Sequence, residues 1–96
     1  MTKEHCTMST ERLQSIVKAI ENRWHIHEGN YLRYGDFAAE NSLWFFLLRQ
    51  KLVTNEDDLQ DFSDALVLVQ LRREVIGLGK ATQEVITRMR EKGIEV

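Results

Sequence analysis

Leu43-Trp44-Phe45-Phe46-Leu47-Leu48 is the longest apolar run in this 96-residue chain, and the fold turns on how it is read. Six consecutive apolar side chains point in every direction around a helix, and a helix apolar on every side must be buried on every side. A short buried strand would show the same run, because periodicity alone does not separate the two. The flanks decide for a helix: Ala38, Ala39 and Glu40 precede the run, Arg49, Gln50 and Lys51 follow it, and all are helix formers. The expected helix runs from Asp36, as N-cap, to about Val53.

Upstream, Leu13, Ile16, Val17, Ile20 and Trp24 fall at helical spacing and form one apolar stripe. They predict a helix over Thr10 to His27, capped by Ser9 and stopped by Gly29-Asn30, residues that tolerate the left-handed conformation. Asn30 to Gly35 then reads as a short connection. Downstream, Thr54 or Asn55 caps a third helix, with Glu56, Asp57 and Asp58 where the helix dipole favours negative charge. Leu59, Phe62, Leu66, Val69 and Ile76 give its core stripe, and Ala65, Val67, Leu68, Leu71 and Val75 widen it. Gly77-Leu78-Gly79 is the expected stop. A fourth helix covers Lys80 to Lys92, turns Val85, Ile86 and Met89 inward, pairs Glu84 with Arg88, and ends at Gly93. The expectation is all-α: residues 9–93 as one small four-helix bundle, with a flexible segment over 1–8 and a tail over 94–96.

Composition supports one soluble domain: 43% apolar, 29% charged, mean hydropathy −0.38. A membrane span needs about 20 apolar residues, far more than this run supplies. The N-terminus lacks the apolar core of a signal peptide, and Cys6 as lone cysteine fits a reducing compartment, so a cytoplasmic location is expected. The net charge of −2 does not favour nucleic acid. The charge is nonetheless polarised: Glu56, Asp57, Asp58, Asp61 and Asp64 fall between Asn55 and Leu71 with no base, whereas bases outnumber acids from Arg72 onward. Such a chain is suited to steering a partner or pairing head to tail with a copy of itself.

Few residue patterns point to chemistry. His25-Ile26-His27 resembles a metal-ligand pair, but two residues apart on a helix the rings diverge by about 200°. His5 and Cys6 have no zinc-site spacing, so no metal and no cofactor is expected. Asp57, Asp61 and Asp64 recur at i, i+4 and i+7 and offer a stripe for a basic partner. Gly77-Leu78-Gly79-Lys80 fails as a phosphate loop because Glu74 stands where its first glycine is needed. No nucleophile motif is present, and an enzyme is not expected. A helix, a glycine turn and a second helix do outline a helix-turn-helix, with Lys80, Gln83, Thr87, Arg88 and Arg90 available to phosphates and base edges.

The leading expectation is a non-enzymatic protein-binding module acting as a regulator, inhibitor, adaptor or small subunit. Its anchors are Trp44, Phe45 and Phe46, with Asp57, Asp61 and Asp64 as a charged flank. Two apolar-rich helices exceed what one small chain can cover, so either helix two lies at the bundle centre or a homodimer completes the core. The partner's identity stays open, and nucleic-acid binding through the fourth helix is the alternative.

Overall fold

Four helices and one 3₁₀ turn make up the described part of the chain: α1 (Thr2–Tyr34), α2 (Asp36–Arg49), a 3₁₀ turn (Glu56–Asp58), α3 (Leu59–Arg72) and α4 (Lys80–Glu91). The computed structural model describes residues 2–96, with side chains from Thr10 onward. The fold is a small all-α bundle, as the spacing predicts. Its long dimension, 45 Å, follows from α1, whose 33 residues would span about 50 Å as an ideal helix.

The first helix is longer than expected at both ends. It begins at Thr2, so Ser9 lies inside it, and it passes through Gly29-Asn30 without a break. Ile20, Trp24 and His27 carry the inward row at i, i+4 and i+7 up to the glycine, and just beyond it Asn30 Nδ2 donates to Ser42 Oγ on α2. Packing along that row outweighs the roughly 1 kcal/mol helix penalty of one glycine. The break falls instead at Gly35, whose φ of 90° and ψ of 175° suit glycine alone, and Gly35 rather than Asp36 is the N-cap of α2.

Helix α1, not α2, occupies the centre. Leu13, Ile16, Val17, Ile20 and Trp24 are buried against both α2 and α3, and α4 packs on α3. Phe62, Ala65, Leu66, Leu68 and Val69 supply the α3 layer, and Val85 and Met89 the α4 layer. Leu59 and Val75, expected in the core, are exposed.

Three helices end in the same way. After α2, Lys51 N–H donates to Leu48 and Leu52 N–H to Leu47; after α3, Glu74 donates to Leu71 and Val75 to Gln70. After α4, Gly93 donates to Arg90 and Ile94 to Met89. Each is a Schellman motif with its pivot at positive φ: Lys51 at 59°, Glu74 at 58°, Gly93 at 86°. Two pivots are not glycine, which explains why α2 stops at Arg49 rather than Val53 and α3 at Arg72 rather than Gly77. The third motif folds Ile94 back beside Met89, both buried, so the first residue of the expected tail is part of the core, while Glu95 and Val96 are exposed. Thr10 Oγ1 donates to the Lys92 carbonyl, holding the α4 terminus to α1.

Candidate functional site

The acidic stripe meets its counter-charges inside the chain. Asp64 is 1% exposed and takes both Nε and Nη2 of Arg88 at 3.0 Å, with Gln60 Nε2 at 2.9 Å. This pairing holds the Arg88 guanidinium proton more tightly than usual, the Asp64 hydrogen bonds being the main cause. Asp61 is bridged by Arg12 at 2.6 Å and Lys92 at 2.5 Å, tying α1, α3 and α4 together. Asp58 takes Arg12 at 3.2 Å and the Thr54 N–H at 2.7 Å. Burial pushes the Asp58 carboxyl up, but the Thr54 hydrogen bonds and Arg12 together bring it below its ordinary 3.8. Asp57 stays exposed, its N–H capped by Asn55. Asp64 is therefore corrected from docking residue to interior ion pair, and Asp61 is half-buried and doubly bridged. Within the chain, the charge pairs α3 with α4 and α1.

The aromatic run divides by direction. Leu43 and Leu47 are buried with Ala39, making one row against α1. Trp44 is half-buried with its ring edge-on to Phe62, centroids 5.3 Å apart, and Phe46 lies under the Arg23 guanidinium at 4.2 Å. Phe45 faces water at 58% exposure. It shares an outer row with Phe37, 81% exposed, through Asn41. Helix α2 is thus apolar on two opposite sides, and one chain covers only one of them. Tyr34, 67% exposed, precedes it across Gly35. At its ends α2 has acids first, Asp36 and Glu40, and bases last, Arg49 followed by Lys51. Burial and then the Asp36 charge push the Glu40 carboxyl above its ordinary value.

A second feature lies where α1, the start of α2 and the end of α3 meet. A cleft of about 430 Å³ is lined by Trp24, His27, Glu28, Tyr31, Leu32, Asp36, Gln70, Val75 and Ile76. Trp24 and His27 are 6% and 5% exposed, with ring centroids 5.2 Å apart. Burial holds the His27 imidazole below its ordinary 6.5, while the Ala39 backbone hydrogen bond and the Asp36 charge act the other way. Its Nδ1 is buried with no hydrogen-bond partner. Neither Glu28 nor Asp36 has an ion-pair partner among the described residues.

The fourth helix exposes only part of its polar set. Lys80, Gln83, Thr87 and Arg90 are exposed, but Thr87 Oγ1 donates to its own Gln83 carbonyl, and Arg88 is held by Asp64 rather than by Glu84. Residues 73–79 separate α3 from α4, whereas a helix-turn-helix uses a turn of about 3–4 residues. His25 is exposed and His27 buried, and no cluster of three His, Cys, Asp or Glu suited to a metal exists among the described residues. The side chains of His5 and Cys6 lie outside those described. No helix among the described residues is long and apolar enough to cross a membrane.

No protein-family model, curated protein or solved structure matches this chain. Phe37, Tyr34 and the cleft residues escape a reading that treats 30–35 as a connection. One signal for the cleft was present: Ile20, Trp24, His27 and Tyr31 keep a helical row past the glycine.

Proposed function

We propose that this chain is a small non-enzymatic protein-binding module, a regulator, adaptor or small subunit, that self-associates through the outer face of α2. The observation that carries it is the pair Phe37 and Phe45, 81% and 58% exposed, in one row about 12 Å apart along the axis. Aromatic side chains grouped on a surface are typical anchors of protein interfaces.

Charge favours a second copy as the occupant. An antiparallel neighbour sets Asp36 and Glu40 near Arg49 and Lys51 of the other copy, and it opposes the two helix dipoles. Such a pair is a two-fold arrangement, in which one patch complements itself. A stable interface needs about 800 Å² per partner, more than the outer strip of a helix about 21 Å long supplies. The last turn of α1, with Tyr34, therefore joins the contact.

Sedimentation velocity across the micromolar range tests the reading. The expected mass is twice 11.3 kDa, and Phe37→Ser with Phe45→Ser reduces it to one copy without loss of helical circular dichroism, since both side chains are exposed. A wild-type protein that remains a monomer throughout would remove self-association from the proposal.

A further inference from the structure

We propose that α4 is an exchangeable arm: residues 73–79 straighten, and the α4 of one copy takes the place of α4 on a second copy, giving a swapped dimer. This exchange does not use the outer face of α2, because the contact exchanged is the one α4 already makes with the rest of its own chain.

The hinge has two competing conformations. Apolar spacing continues α3 through Val75 and Ile76, yet the helix ends at Arg72 because Glu74 turns into the left-handed region at φ 58°. That region is unfavourable for any residue but glycine, and the bend leaves Val75 54% and Leu78 65% exposed. Among the described residues, none of Ile76, Gly77, Leu78 and Gly79 donates a backbone hydrogen bond. Folding α4 back therefore gives up helical bonds and apolar cover. Straightening restores both: Glu74 becomes helical, and in a two-fold dimer Val75 and Leu78 of the two adjacent hinges cover each other. Short hinges under strain favour such exchange.

The arm is portable. Arg88 binds Asp64, Lys92 binds Asp61, Arg72 binds the Glu95 carbonyl and Thr10 binds the Lys92 carbonyl. Val85, Met89 and Ile94 enter the core cluster with residues of α1 and α3. Each of these contacts joins a residue before the hinge to one after it, so a second copy reproduces them without a new surface. Gly77 and Gly79 disfavour the straight helix, which keeps the closed chain dominant when it is dilute. Lys51 shares the left-handed conformation, but two helices follow it, and its release would detach α3 and α4 together.

Charge reversal across the arm provides the test, in chains that all carry Phe37→Ser and Phe45→Ser to remove the α2 face. Asp64→Arg and Arg88→Asp each set like charges together within a closed chain. In a swapped heterodimer the two substituted side chains pair at one interface, and the native Asp64 and Arg88 pair at the other. Refolding the two chains together at about 1 mM, near the effective concentration set by a short linker, is expected to give a dimer with one copy of each by native mass spectrometry. It should melt above either chain alone and approach the chain that carries both reversals. With native charges, Gly77→Ala, whose Cβ meets nothing within 4 Å in the closed form, should raise the dimer fraction from concentrated refolding at least about fivefold, and Glu74→Gly should lower it. Absence of the heterodimer while the doubly reversed chain folds, or equal dimer fractions in the native-charge chain and both hinge variants, would overturn the exchange. A swapped dimer persists on dilution because α4 must undock to revert, whereas one held by Phe37 and Phe45 dissociates, so the two readings fail separately.

Discussion

His27 couples stability to pH near neutrality. Buried between the Trp24 ring and the Ala39 backbone, it is held neutral, and its imidazole accepts a proton less readily than in the unfolded chain. The sign of the linkage follows: the unfolded chain takes up the proton first, so stability is full above about pH 6.5 and falls as pH drops below it. His27→Leu, close in size, should flatten the fall in melting temperature between pH 7 and pH 5; equal losses in wild type and variant would refute this. Asp58 acts in a lower window, its stabilisation lost only as pH falls below 3.8. At Asp64 the issue is pairing. Removing Arg88 as Arg88→Met leaves a buried carboxylate with Gln60 as its one remaining side-chain donor, and urea unfolding should show a loss of about 2–3 kcal/mol, somewhat under the figure for a fully buried pair because Arg88 is partly exposed. Adding Asp64→Leu to Arg88→Met should recover part of that loss.

Among the elements, α2 and the helix ends hold the most consequence. Helix α2 packs on α1 along Ala39, Leu43 and Leu47, with Phe37 and Phe45 on its opposite side exposed. The terminal pivots of α2 and α3 put Lys51 and Glu74 into the left-handed region, which costs a non-glycine residue about 1–2 kcal/mol. Glycine relieves that strain but adds freedom to the unfolded chain. Lys51→Gly and Glu74→Gly are each expected to raise stability by about 0.5–1 kcal/mol in urea titrations. An unchanged or lowered midpoint would mean that Schellman strain at these ends is already relieved by the side chain.

For the molecule as a whole, ion pairs tie the helices together while Phe37 and Phe45 stay exposed. Arg12, Asp61 and Lys92 tie α1, α3 and α4, and Arg72 reaches both Glu21 and the Glu95 carbonyl, so the beginning of the described side chains and the C-terminal residues share one set of bonds. Asp61 and Asp64 of α3 are paired inside the chain, while Glu56 and Asp57 before them stay exposed. Association through Phe37 and Phe45 should persist in 1 M salt, where the Debye length is only about 3 Å. Dimers that dissociate fully on adding salt, seen by sedimentation, would point to charged rather than aromatic contacts.

The all-α class, the existence of four helices and most of the core were legible from spacing, because the inward rows of α1, α3 and α4 repeat every three or four residues whatever they pack against. Gly93 as stop was legible too, being local chemistry, whereas Asn55, one of two expected caps of the third helix, caps the 3₁₀ turn before it, and Asp58 is the N-cap of α3. The other boundaries were not. Gly29 is tolerated because tertiary packing of Trp24 and His27 holds the helix through it, and Lys51 and Glu74 end helices by a backbone conformation that their side chains do not advertise. The apolar run at 43–48 announced an excess of hydrophobic surface, but which sides are covered depends on the helices around it: α1 takes Leu43 and Leu47, Phe62 takes the edge of Trp44, and Phe45 stays exposed. The acidic stripe likewise looked like a surface until folding brought Arg12, Arg88 and Lys92 to it from distant parts of the chain. Local periodicity states how much of a helix is apolar or charged, whereas only long-range packing assigns each side to the interior or to water.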